Sequence, residues 1–244
     1  MSMIESLVRG FERANVPLKL TDTPFVHGVD SNRIVQMDVR RDRGEGEKVF
    51  LFPGTSNELR VTGTDPRHRQ LVLRVREADR KFTEQRWDKK HRIFRTIERR
   101  TTPALRRFLV GMDESHLFVA QLTMKAETVE QAHEGLRPAV LRERREKFRQ
   151  GEWFFVPITP EEHELLGKTS HRFFERNARI GRHLTRRGRP HLAEQLVQLP
   201  LGGGTAELVR GRVRHPDHAT LALATWMRVF MNTEDRSVGA SWVD

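Results

Sequence analysis

Short apolar alternations, each closed by turn-forming residues, fill the stretch from 33 to 123 and constrain the fold more than any other feature. Val35, Met37 and Val39 alternate with polar neighbours, a period of two that turns one face of a strand toward a core. A turn containing Gly44 and Gly46 leads into the apolar run 48–52, which Pro53-Gly54 closes. Residues 59–61 form a further apolar stretch before the turn Gly63-Thr64-Asp65-Pro66, and Leu71, Leu73 and Val75 alternate again. Weaker strand patterns cover 82–87 and 93–97. The runs 108–112 and 117–122 flank Asp113-Glu114-Ser115-His116, a hairpin signal. About six to eight strands at this spacing predict a sheet meander or a small barrel.

Helical periods lie on either side. Ser2 and Glu5 form a capping box ahead of Ile4, Leu7, Val8 and Phe11, and Asn15 with Pro17 ends that helix. Thr128 with Gln131 opens a helix over 129–136. Pro138 opens another to about Gln150, with Gly151 as its stop and Glu143 with Lys147 as an i,i+4 pair. Residues 153–156 read as a buried strand, then 160–166, 170–187 and 191–199 as helices, the last started by Pro190. Gly202-Gly203-Gly204 reads as a flexible joint. The segments 207–213 and 221–230 pair across the turn His215-Pro216-Asp217-His218. The expected fold is therefore α+β: an antiparallel sheet meander or partly closed β-barrel, helices in the second half, and a C-terminal β-hairpin. The length of 244 residues suits a single domain over 1–244, or a β-rich part (1–125) and a mixed part (126–244) sharing one core.

Charge narrows the choice of partner. Lys and Arg number 44 against 33 Asp and Glu, a net +11, and such a field draws polyanions. Arg predominates over Lys, and its flat fork pairs bidentately with phosphate. The absence of cysteine excludes disulfides, Cys-based zinc sites, iron–sulfur clusters and Cys nucleophiles. No apolar window approaches a membrane span, and residues 1–10 lack the apolar core of a secretion leader, so a cytoplasmic protein with no membrane partner is expected.

If 170–187 is helical, Arg172, Arg176, Arg179, His183 and Arg186 fall within an arc of about 80°, along roughly 21 Å of helix. Phe173, Ile180 and Leu184 lie about a quarter turn away, so such a helix packs on one line and offers the other to phosphates. Arg142, Arg145 and Arg149 make a second stripe at i, i+3, i+7. A third basic stretch, 86–107, carries nine Lys or Arg against Asp88 and Glu98, net +7 (9 − 2), with Trp87 set among Arg86, Lys89 and Lys90. Basic groups interleaved with an aromatic hold single strands by stacking and phosphate contact. A solvated charged face, with Trp87 in the core, is the plainer reading of the same residues.

His215, Asp217 and His218 carry the remaining chemistry. Imidazole and carboxylate at this spacing suit a divalent metal, though no cofactor is required by the sequence. Alternatively His215 and His218 serve as an acid–base pair, with Arg212 or Arg214 beside the developing phosphoryl charge. In the plainer reading Pro216-Asp217 is a turn and the histidines cap it. His171 and His191 join the group if their segments fold back over this edge. No phosphate-binding glycine loop, G-x-S-x-G, H-E-x-x-H, helix-turn-helix or RNP pattern is present. The expectation is a nucleic-acid-binding protein that favours RNA or single-stranded DNA. The alternatives are a phosphodiesterase-type nuclease using His215, His218 and Arg214, and a scaffold for acidic partners.

Overall fold

The Ser2 hydroxyl accepts the Glu5 N–H while the Glu5 carboxylate accepts the Ser2 N–H, so the capping box forms and starts α1 (Met3–Arg13). Leu7 and Phe11 bury one face of this helix. Gly10 lets it lie close on β4 (Glu58–Asp65): a Cβ there would sit 2.5 Å from Val61 Cγ2. The computed structural model describes residues 1–26, 31–42, 44–101, 105–141, 147–182 and 189–233.

The chain divides into two compact units. One includes Met1–Gly111 with Leu117–Ala132; the other includes Met112–His116 and His133–Glu234. The first carries three sheets. β2 (Gln36–Asp42) and β3 (Gly46–Phe52) form a hairpin, and β1 (Leu18–Leu20) joins β3 in parallel. β4, β5 (Gln70–Arg76), β8 (Leu105–Asp113) and β9 (His116–Gln121) make an antiparallel sheet in that order. Leu71, Val72, Leu73, Phe108, Leu109 and Val110 are buried without a break, because β5 and β8 are its inner strands. Among the described residues β6 (Arg80–Asp88) and β7 (Ile93–Thr101) pair only with each other. Among the described residues no barrel closes: the strands read as one meander fall into separate sheets.

The second unit is built on one antiparallel sheet, ordered β10 (Phe148–Gln150), β11 (Trp153–Pro157), β15 (His218–Met231), β14 (Gly204–His215), β13 (Leu192–Leu201), β12 (Glu175–Arg179). One face buries Trp153, Phe155, Ile180, Leu196, Val209 and Val213. The other buries Val197, Leu199 and Leu208 beneath Leu165, Phe174 and Trp226, with α3 (Pro160–Lys168) packed on β13. Helix α2 (Val129–Leu136) and the capped α3 lie where the sequence places them, and the C-terminal hairpin is β14–β15.

Two expected helices are strands. The described part of 170–187 gives a 3-10 turn at His171–Phe173 and then β12, which pairs with β13 from Glu175↔Leu196 to Arg179↔Leu192. Asn177 and Gly181 have positive φ, which an α-helix does not accept. Residues 191–199 become β13, an inner strand buried on both faces, where ladder pairing outweighs local helical spacing. The helix expected from Pro138 to Gln150 is instead a 3-10 turn at Ala139–Leu141 and, beyond residues outside the described set, β10. The glycines at 202–204 are not a joint: Gly202 and Gly203, both at positive φ, turn β13 tightly into β14.

Strand β15 bends. Between the pairs Val209↔Met227 and Gly211↔Leu223, two steps on β14 face four on β15, and Gly211 takes φ +83°. Drawn straight, its 14 residues would span roughly 45 Å. Yet Asn232 N–H reaches Glu152 O at 2.8 Å, while Gln150 Nε2 donates to Ala219 O at the other end. Both ends of the strand thus return to the β10–β11 turn.

Candidate functional site

His215 ends β14 and His218 begins β15, and the two form the closing pair of a hairpin whose loop is Pro216-Asp217. His191 immediately precedes β13, the neighbour of β14, where Leu192 pairs with Arg214. The three imidazoles therefore gather at one end of three adjacent strands. Ring centroids lie 4.2 Å apart for His191–His215, 5.0 Å for His215–His218 and 5.5 Å for His191–His218. One nitrogen from each lies within 4.8 Å of the others, so the group could hold a metal ion. His191 is only 3% exposed.

The surrounding contacts fix the rings. His215 Nε2 donates to the Arg189 carbonyl at 3.0 Å, which puts the proton on Nε2; Nδ1 then accepts the Asp217 N–H at 3.2 Å. The Asp217 carboxylate is 3.8 Å from His215 Nδ1 and 3.8 Å from His116 Nε2. Glu152 Oε1 lies 4.0 Å from His191 Nδ1. His218 Nδ1 is enclosed and meets no hydrogen-bond partner among the described residues.

The floor is Gly151, at φ +56°: a Cβ there would sit 2.8 Å from His218 Nε2 and 3.4 Å from His191 Nε2. Its carbonyl accepts from Arg149 Nε at 2.8 Å. Gln150, buried beside it, donates to Val213 O and Ala219 O and so ties the turn to β14 and β15. Glu114 accepts the Ala219 N–H at 2.7 Å.

Of the expected site residues, His215, Asp217 and His218 come together, and His191 joins them. His171 does not; its ring packs on Phe174 at 5.5 Å. Arg214 points to the other side of the strand, onto Asn177, and Arg212 onto Glu194. The contributions of Gln150, Gly151, Glu152 and His116 are absent from the sequence reading. Their only sequence signal is a lone glycine between two strand-forming runs, which reads equally as a helix stop.

The helical Arg stripe does not exist as drawn. Arg172 stacks over Phe173 at 4.8 Å before β12 begins, and Arg176 and Arg179 lie in β12, three residues apart on a strand. His183, Arg186, Arg142 and Arg145 lie outside the described residues. Arg149 lies between the Gly151 carbonyl, His133 Nδ1 at 3.3 Å and the Phe154 ring.

The third basic stretch is a different matter. β6–β7 is solvent-exposed along nearly its whole described length. Trp87 and Phe94 face each other in register, centroids 4.9 Å apart, with 46% and 64% of their surfaces exposed. Arg86 stands opposite Arg95 and Lys81 opposite Arg100, like charges in directly facing positions. Diagonal or flanking acids answer three of the four: Arg95 with Asp88, Lys81 with Glu98, Arg100 with Asp79. Asp88 also organises the tip, accepting the Lys90 and His91 N–H groups and pairing with the His91 ring at 2.8 Å. That ring contact, foremost, holds the Asp88 carboxyl below its usual range. Arg86, Trp87, Lys89, Lys90 and Arg95 line an open groove of about 340 Å³ at this tip. Among the described residues no helix is long and apolar enough to cross a membrane. Comparison of the chain with protein-family models, with curated proteins and with solved structures finds no match to any of them.

Proposed function

We propose that this chain binds single-stranded nucleic acid, RNA or single-stranded DNA, through the β6–β7 hairpin. The observation that carries the reading is the exposed Trp87–Phe94 pair set in a groove with Arg86, Lys89, Lys90 and Arg95. Aromatic faces left half open to water cost free energy unless something stacks on them, and bases do so regardless of sequence. Facing like charges destabilise a hairpin and are relieved by a polyanion. The net charge of +11 adds long-range attraction of the same sign.

Fluorescence anisotropy of labelled oligonucleotides against salt tests this. The full chain is expected to bind a single-stranded 15-mer, with log affinity falling linearly in log salt. Arg86→Ala/Lys89→Ala/Lys90→Ala is expected to lower the steepness of that slope by about 2. Trp87→Ala is expected to cost about tenfold in affinity with little change in slope. Failure to bind any oligonucleotide at low salt overturns the reading and leaves an acidic protein partner for this surface.

A second reading, a nucleic-acid-processing enzyme of phosphodiesterase type, is favoured by the convergence of His215 and His218 with His191. It requires strand cleavage by the wild type that His215→Ala abolishes while binding persists.

A further inference from the structure

We infer that His191, His215 and His218 bind a divalent first-row transition-metal ion, with zinc as the representative case. The inference goes beyond nucleic-acid binding and does not depend on it. Three imidazoles from three strand ends, with candidate ligand atoms within 4.8 Å of one another, form the donor set. All-imidazole donors suit zinc, iron, copper and nickel, and fail magnesium and calcium, which want oxygen.

The environment is that of a ligand set and not of a surface histidine cap. His191 is almost wholly buried. The enclosed His218 Nδ1 has no hydrogen-bond partner among the described residues. A buried polar atom in that condition costs free energy that ligation recovers. The Arg189 carbonyl holds the His215 ring at Nε2, and the Glu152 carboxylate stands 4.0 Å from His191 Nδ1. Carbonyls and carboxylates behind ligating imidazoles orient them and raise their basicity.

A tetrahedral zinc site needs its nitrogens about 3.3 Å apart, from bond lengths near 2.0–2.1 Å. The nitrogens must therefore draw in from their present spacing, and the rings, whose planes now lie 20°, 25° and 37° apart, must turn until their lone pairs converge. Ligation through His215 Nδ1 gives up its long contact with the Asp217 N–H. Gly151 provides the room, since any side chain there would press on His218 and His191. Three protein ligands leave a fourth position open, and the Asp217 carboxylate stands 3.8 Å from His215 Nδ1.

The test uses the full chain, stripped with chelator and titrated with Zn²⁺ by calorimetry and with Co²⁺ by its visible absorption. One equivalent is expected to bind with Kd below about 1 µM. His215→Ala/His218→Ala is expected to weaken binding by about 100-fold or more. The exposed pairs His68–Asp65 and His91–Asp88 serve as controls, and His68→Ala/His91→Ala is expected to leave zinc binding unchanged. Absence of zinc binding by the folded wild type overturns the inference. So does binding that survives in the first double variant, or that vanishes in the second. If the first double variant does not fold, X-ray absorption of the zinc-loaded wild type decides, and fewer than three imidazole ligands overturns it.

Discussion

At the scale of single residues, Gly151 and Glu162 show how much rests on one position. Gly151 combines a left-handed backbone with contact against two imidazoles. Gly151→Ala is expected to destabilise the second unit by about 1–3 kcal/mol, read as a lowered Tm, and to weaken Zn²⁺ binding in calorimetry. Glu162 is fully buried, caps α3 through the Thr159 N–H and takes Arg228 Nη1 at 2.7 Å. Removing the cation strands a buried carboxylate, so Arg228→Ala is expected to cost about 3–5 kcal/mol in denaturant unfolding, more than Glu162→Gln. The histidine group was half legible. His215 and His218 bracket a turn dipeptide, and a hairpin register brings such residues opposite each other. His191 is 24 residues away from His215 and reaches it only because β13 neighbours β14, a non-local fact.

At the scale of elements, bulges explain what the sequence hides. Ala193, Leu196 and Val197 are spaced i, i+3, i+4 and read as a helix face. In β13 the register shifts between Ala193 and Gln195, so Ala193 and Leu196 share one face of a strand while Val197 turns to the other. A strand with a bulge imitates a helical period, whereas the β2–β3 hairpin, whose register runs without a shift, was legible from alternation and turn residues alone. Glu194 stands at this irregularity and takes both the N–H and the Nε of Arg212 at 3.1 Å. Those bonds, the backbone one first, hold its carboxyl below the ordinary 4.5. A carboxyl with a depressed folded value lends stability above its unfolded value and loses it as pH falls through the folded one. Tm measured from neutral pH down to about pH 3 is therefore expected to fall less steeply in Glu194→Gln than in the wild type. Among the described residues the β6–β7 hairpin pairs with no other strand. Replacing 86–95 by a short Asn-Gly turn is accordingly expected to leave Tm nearly unchanged while removing oligonucleotide binding.

At the scale of the whole molecule, the sequence reading found the class and missed the assembly. An α+β protein rich in antiparallel sheet is what the structure contains, yet the strands sort into separate sheets in place of one meander or barrel. Composition and periodicity report which face of a segment is apolar; they do not report which partner covers it. The order of the largest sheet carries one more consequence. β11 ends at Pro157, and its neighbour on the inner side, β15, begins at His218. During synthesis, at roughly 5–20 residues per second, β11 leaves the ribosome about 3–12 s before the strand that must cover it. Trp153, Phe155 and Val156 spend that interval without the β15 side of their ladder, open to chaperones that hold apolar strands.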